Sequence, residues 1–248
     1  MIIFGISGQK GSGKSTLARD IARFCYDSFE VPSSDRPPAG ISLCRIATFY
    51  QAPFAAPIKE IAVNLLGLDP QFIYGDDDAK NTLTNYTWDD MPHYLRLQAD
   101  GKAPPANQLM THREILQELG SGIFRQIWPQ AFCNAWKNFV GRIPVESDFP
   151  VVFADDLRFP NEMTTIVEYA ERRRHLYYLI RLTRGATTDR HDSETSLSNN
   201  SPGFTFVLDN EKSTREATFR QLVNRLPISD MARQIAMLRA GAYYANSI

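Results

Sequence analysis

The chain opens with an unbroken apolar run, Met1 to Ile6, that stops at Ser7-Gly8. A run without alternation suits a strand covered on both faces, as in a parallel sheet. After Gly13 the period changes. Leu17, Ile21, Phe24 and Cys25 fall on one helical stripe, with Arg19, Asp20 and Arg23 elsewhere. The N-terminal segment therefore predicts strand, glycine-rich turn, helix. The alternation recurs downstream. Ser42 to Tyr50 predicts a second strand, and Pro57 opens a helix whose stripe (Ile58, Ile61, Ala62, Leu65, Leu66) ends at Gly67. Thr111 to Glu114 is a capping box ahead of Ile115, Leu116 and Leu119, and Gly120 and Gly122 interrupt that helix. Pro129 opens another helix, with Phe132, Cys133, Trp136, Phe139 and Val140 as its apolar face.

Pro150 to Ala154 predicts a buried strand, and Pro160 opens a helix carrying Met163, Ile166, Val167 and Ala170. Strands follow at Leu176 to Leu182 and Phe204 to Leu208, separated by a polar loop from Thr183 to Gly203. A second capping box, Ser213 to Glu216, opens a helix with Phe219, Leu222, Val223 and Leu226. Asp230 to Tyr243 predicts a last amphipathic helix. Strands alternating with helices imply an α/β fold, a mostly parallel sheet covered on both faces. Two stretches break the pattern. Glu30 to Gly40 is a proline-rich loop, and Asp69 to Leu109 is polar, aromatic and irregular, with the acidic run Asp76-Asp77-Asp78. Such a long segment is expected to be an insertion that covers a site.

Composition narrows the class without naming a function. Of 248 residues, 43% are hydrophobic and 22% charged, enough apolar material for a substantial core. The 27 Lys+Arg and 28 Asp+Glu give a net charge of -1, so no global field draws the chain to nucleic acid or a membrane. Cys25, Cys44 and Cys133 lie far apart, with no CxxC or zinc spacing, and read as buried apolar residues of a reducing compartment. No signal-peptide pattern and no run of about 18 apolar residues occurs, so a cytoplasmic location is expected.

The chemistry concentrates at two strand ends. Gly8-Gln9-Lys10-Gly11-Ser12-Gly13-Lys14-Ser15 fits G-x-x-x-x-G-K-[ST], and Thr16 follows. Glycines let the backbone curl so that its N–H groups face phosphate oxygens, and the helix behind adds its positive end. Lys14 would sit at the β/γ-phosphates, and the Ser15 hydroxyl would ligate Mg²⁺. The expected ATP-binding set is Gly8, Lys10, Gly11, Ser12, Gly13, Lys14, Ser15 and Thr16. Asp155-Asp156-Leu157-Arg158 follows the strand PVVFA, at the edge where open α/β sheets bind ligands. An acid there can hold Mg²⁺; it can equally be a turn and cap residue.

The ordered set of motifs resembles the phage-encoded deoxynucleoside monophosphate kinases, relatives of the nucleoside monophosphate kinase and dephospho-CoA kinase group. It spans roughly residues 1 to 225. Beyond the phosphate loop it comprises Ala56-Pro57-Ile58-Lys59, then Arg113-x-x-x-Gln117-x-x-Gly120 with Arg125 and Trp136. Asp156-x-Arg158-Phe159-x-x-Glu162, His191-x-Ser193-Glu194 and Leu208-Asp209-Asn210 complete it. The chain departs from some relatives in having Ser15-Thr16 after Lys14. The resemblance implies a single three-layer αβα P-loop kinase domain over 1–248. It would carry a monophosphate-binding insertion at about 69–109, a lid at about 183–203 and an extra C-terminal helix at about 230–243. It implies ATP with Mg²⁺ as phosphoryl donor and a deoxynucleoside 5′-monophosphate as acceptor. It implies no nucleic-acid or membrane partner, and a host-cell cytoplasmic location if the chain is phage-encoded. A homodimer built on the last helix and simple edge packing both stay open.

The resemblance also implies roles. Lys14, Arg158 and the lid arginines Arg184 and Arg190 would act on the transferring group. Lys59, Arg113, Gln117, Gly120, Trp136, Asp156, Arg158 and Glu162 would bind the acceptor, and Ser15 with Asp156 would hold the metal. Each has a plainer alternative. Arg113 and Gln117 can be an exposed polar helix face. Trp136 can be core, Arg158 and Glu162 a surface ion pair, Lys59 an exposed lysine, and the lid a solvated loop. Arg172-Arg173-Arg174 reads as a solvated helix end favoured by the dipole. Two other functions stand as alternatives to the kinase: phosphorylation of another small acceptor such as dephospho-CoA, and a DNA-handling ATPase, which would call for a basic surface or an assembly domain.

Overall fold

The structure is a computed structural model and describes residues 1–28, 47–101, 103–144, 149–184 and 195–226. Its chain divides into two compact units, Met1–Pro53 with Trp136–Arg190 and Glu194–Ile248 in the first, and Phe54–Ala135 with His191–Ser193 in the second.

The first unit is built on five parallel strands in the order β2-β5-β1-β6-β7. These are β1 (Ile2–Ser7), β2 (Ala47–Gln51), β5 (Phe149–Leu157), β6 (Leu176–Leu182) and β7 (Phe206–Leu208). All six residues of β1 are buried, as an unbroken apolar run at the centre of a covered sheet requires. Successive side chains of β1 go to opposite layers. Ile2, Phe4 and Ile6 join Leu17, Ile21 and Cys25 of α1 (Lys14–Ser28) and Leu222 of α10 (Arg215–Val223) in one cluster. On the other face α9 (Pro160–Arg172) packs on β1 and β6, and its Tyr169 ring meets Trp136 edge-on, 5.5 Å between centroids. Helices thus cover both faces, the three-layer arrangement expected from the sequence.

Local chemistry explains the ends. Glu162, at the third position of α9, accepts from the N–H of Phe159 at 3.1 Å and of Arg158 at 2.8 Å. Arg174, with φ of 55°, closes the helix, and the His175 N–H returns to the Ala170 carbonyl at 2.8 Å. Arg173 lies over the Tyr169 ring and Arg172 pairs loosely with Glu168 on the surface, the solvated helix end expected. The second expected capping box, Ser213 with Glu216, does not form. Thr214, not Ser213, is the N-cap, its hydroxyl accepting from Ala217 N–H at 3.2 Å. Cys25 and Cys133 are buried, and burial pushes the Cys25 thiol up to about 12, so it stays protonated. Cys44 and the 230–243 helix lie outside the described residues.

The second unit holds α2 (Ala56–Asn64), α3 (Pro70–Ile73), α4 (Asp77–Lys80), the antiparallel pair β3 (Leu83–Thr87) and β4 (Leu109–Thr111), α5 (Tyr94–Ala99) and α6 (His112–Gln117). The stretch from Asp69 to Leu109, irregular by periodicity, is therefore ordered into short elements. Asx caps start α3 and α4: Asp69 accepts from Gln71 N–H and Asp76 from Ala79 N–H. Thr111 caps α6 with Glu114 answering it, Thr111 N–H to Glu114 Oε2 at 2.7 Å, as the sequence predicts.

The two glycines after α6 do not end the helix. The chain continues as a π-helical turn over Glu118–Phe124 and then as α7 (Arg125–Ile127). A Cβ on Gly122 would fall 2.5 Å from Glu118 Oε2 and 2.7 Å from His93 Nε2. Those two atoms are themselves 2.6 Å apart, so the missing side chain makes room for the pair. A Cβ on Gly120 would meet Ile58 Cδ1 at 3.0 Å, which makes Gly120 a site of close packing on α2. Next, α8 (Ala131–Val140) buries Phe132, Cys133, Trp136 and Val140 as predicted, while Phe139 is exposed.

Candidate functional site

The turn from β1 into α1 is shaped by its glycines. Gly11 and Gly13 take φ of 72° and 91°, a region that side chains disfavour. A Cβ on Gly8 would fall 2.4 Å from Ser12 Oγ, so the loop can close on itself only with glycine there. The Lys14 ammonium donates to the Gly8 and Gln9 carbonyls at 2.7 and 2.8 Å, which pins it across the loop. Ser12 is buried, and its carbonyl accepts from Asn210 Nδ2 at 2.7 Å.

Ser15 Oγ donates to Asp155 Oδ2 at 2.7 Å. Adjacent strand residues point to opposite faces, so of the pair after PVVFA it is Asp155 that meets the loop serine. The sequence reading sets Ser15 with Asp156 at the metal; in the structure the carboxylate that meets the Ser15 hydroxyl is that of Asp155. The two oxygens, a hydroxyl and a carboxylate, are the hard donor type that Mg²⁺ takes. Among the described residues no group of three or more His, Cys, Asp or Glu gathers to hold a metal by itself.

Asn210 joins a second set of residues to the loop. Besides bonding Ser12, its Oδ1 accepts from the Arg184 backbone N–H at 2.7 Å, and Arg184 Nη2 donates to the Gly11 carbonyl at 3.1 Å. Beside the start of α1 lies a cavity of about 130 Å³, lined among others by Gly13, Thr16, Asp20, Arg184, Asn210 and Arg215. Arg215 closes one side through a bidentate pair with Asp20, Nε to Oδ2 at 2.8 Å. Sequence reasoning noted Leu208-Asp209-Asn210 but gave Asn210 no task; nothing local signals an amide that bridges two loops.

The remaining expected residues divide by unit. In the first, Arg158 begins the turn that Glu162 caps. Glu162 is 1% exposed and spends one carboxylate oxygen on two backbone N–H groups, so its observed contacts hold the turn. Trp136 is 3% exposed and packs on Tyr169, which favours its core alternative. Arg190, His191 and Glu194 lie outside the described residues, so of the two lid arginines only Arg184 is described.

In the second unit Lys59 and Arg113 each gain a setting. The Lys59 ammonium lies 5.5 Å from the centre of the Tyr74 ring. Arg113 Nε donates to Asn81 Oδ1 at 2.9 Å and its Nη2 to Asp77. Gln117 ends α6 one turn after Arg113, on the same side. Sequence reasoning passed over Lys80, whose ammonium donates to the Gly75 carbonyl. Burial first, then the charges of Lys59 and Arg113, hold this lysine below its usual range, while Asp77 and Asp76 push the other way.

No family model matches the chain. Two curated proteins are similar to it. One, from Acanthamoeba polyphaga mimivirus, bears the provisional name deoxynucleotide monophosphate kinase. It is 27% identical over 226 residues, 90% of this chain and 95% of the relative. The other is the deoxynucleoside-5′-monophosphate kinase of Escherichia phage T5, 25% identical over 194 residues, 65% of this chain and 70% of the relative.

Proposed function

We propose that this protein is a deoxynucleoside monophosphate kinase, which moves the γ-phosphoryl group of ATP to a deoxynucleoside 5′-monophosphate and yields ADP and the diphosphate. The observation that carries the reading is the Ser15–Asp155 hydrogen bond at the mouth of the Gly8–Ser15 loop. It joins the hydroxyl and the carboxylate that a Mg²⁺–nucleotide site requires. Similarity to two kinases with deoxynucleotide acceptors supports the choice of acceptor.

The donor belongs to the first unit. Backbone N–H groups of the loop and Lys14 would bind the β- and γ-phosphates, and Ser15 and Asp155 would hold Mg²⁺, which neutralises charge on the transferring group when bound. The cavity beside Thr16 would take the donor's nucleoside, with Arg184 along its edge. The acceptor belongs to Lys59, Arg113 and Gln117 of the second unit. An acceptor phosphate oxygen is already nucleophilic, so no general base is needed, and the rate comes from positioning and charge neutralisation.

A coupled assay of ADP release over the ribo- and deoxyribonucleoside monophosphates, with Mg·ATP, tests this. Saturable ADP formation with at least one deoxynucleotide is expected. Stimulation by DNA alone, or by dephospho-CoA alone, would assign the chain to one of the other two functions.

A further inference from the structure

Within the second unit three cations converge on the short stretch Tyr74–Asn81, inside the insertion to which periodicity gave no structure. Lys59 stands over the Tyr74 ring. Lys80 bonds the carbonyl of the next residue, Gly75. Arg113 bonds Asp77 and Asn81, which bracket Lys80 in sequence. Three positive groups face two nearby carboxylates, Asp76 and Asp77, and Asp78 is exposed. Of those two, Asp76 is already engaged in capping α4, its Oδ1 accepting from Ala79 N–H at 2.9 Å. Asp77 is the acid that meets Arg113, and its side chain is 47% exposed against 17% for the arginine.

Cations gathered at half-buried positions repel one another, and the arrangement is costly without a balancing anion. Asp76 and Asp77 together balance only part of the charge of three cations. A phosphate dianion carries more charge than either carboxylate and offers three acceptor oxygens, enough for an arginine fork and two ammonium groups together.

We infer that Lys80 is a third phosphate ligand beside Lys59 and Arg113, and that Asp77 is an internal counter-ion which the acceptor's 5′-phosphate displaces from Arg113. The inference rests on the acceptor reading above and deepens it. It gives the 69–109 insertion a task in holding the phosphate and does not bear on the base. Asp77 keeps Arg113 oriented and partly neutralised until a phosphate arrives. A monoanionic or uncharged analogue gains less from the exchange, so the site favours the dianionic 5′-phosphate.

The test uses the full chain with three variants and two readouts, steady-state constants for both substrates and calorimetric binding of each deoxynucleoside monophosphate without ATP. Lys80→Met keeps the apolar stem and removes the charge. It is expected to weaken monophosphate binding and raise the acceptor KM by about tenfold or more, with the KM for ATP within about twofold. Lys80→Arg should restore part of the affinity. Asp77→Asn keeps all three cations, and is expected to tighten monophosphate binding about threefold or more. An unchanged acceptor KM in a folded, active Lys80→Met variant overturns the inference and leaves the proposed function standing. Unchanged or weaker binding in Asp77→Asn overturns the counter-ion role. A wild-type protein that neither binds nor phosphorylates any deoxynucleoside monophosphate defeats the proposed function and this inference with it.

Discussion

Ser15 and Asp155 are 140 residues apart in the chain, and their side-chain oxygens are 2.7 Å apart. The contact exists because β1 and β5 are parallel neighbours, so the turn after one and the end of the other meet at the same sheet edge. If that edge holds the metal, Asp155→Asn should lower kcat by about 10- to 100-fold and raise the Mg²⁺ concentration needed for half-maximal rate. Asp156→Asn should leave the Mg²⁺ requirement nearly unchanged. A magnesium titration of both variants checks the pair, and the reverse ranking would return the metal to Asp156.

Asn210 bridges the loop carbonyl of Ser12 and the backbone of Arg184 from a position that is 7% exposed. Asn210→Ala removes both bonds and leaves their partners to find others. A loss of about 2 kcal/mol in folding free energy is expected in urea titration. The KM for ATP should rise while that for the acceptor stays close to wild type. Asn210→Asp keeps the acceptor oxygen for Arg184 and loses the donor to Ser12, so it should fall between the two.

Glu162 acts on the site through the turn it caps. Glu162→Ala should cost about 1–2 kcal/mol of stability, the range for a lost cap with buried backbone donors. Glu162→Gln retains an acceptor and should cost less. If the carboxylate instead contacted the acceptor's sugar, Glu162→Gln would raise the acceptor KM at unchanged stability, and kinetics with thermal melts separates the outcomes.

His175 gives stability a pH dependence. Burial, helped by the N-terminal ammonium and Arg173, lowers its pKa from 6.5 to about 4 in the folded chain. Between those values the unfolded chain binds the extra proton, so folding weakens as pH falls from about 6.5 toward 4 and this contribution then levels off. The residue is partly buried, and the contribution after solvent screening is of order 1 kcal/mol. The wild type should lose more stability than His175→Gln between pH 7 and pH 4.5. Parallel curves for the two proteins would remove His175 from the account.

What could be read in advance follows the range of the forces involved. The passage from β1 through the loop into α1 was legible because a buried strand, positive-φ glycines and an amphipathic helix are all local signals. The Thr111–Glu114 cap was legible for the same reason. Which of Asp155 and Asp156 meets Ser15 could not be chosen, because facing depends on which strand lies alongside. Asn210 and Lys80 were missed because their partners come from distant segments or from a backbone carbonyl. Phe139 fits the apolar stripe of α8 yet is exposed, since periodicity sets which side a residue lies on and not whether another element covers it. Much of the insertion shows no period because α3 and α4 are four-residue turns started by Asp caps, too short to carry one.

The central claim is that the γ-phosphoryl group goes to a nucleotide and not to water. One turnover with ATP labelled at the γ-phosphate, with a deoxynucleoside monophosphate present, reads this directly. The account predicts label in the deoxynucleoside diphosphate, with little in inorganic phosphate. Label released only as inorganic phosphate, at a rate indifferent to the monophosphate, would contradict it.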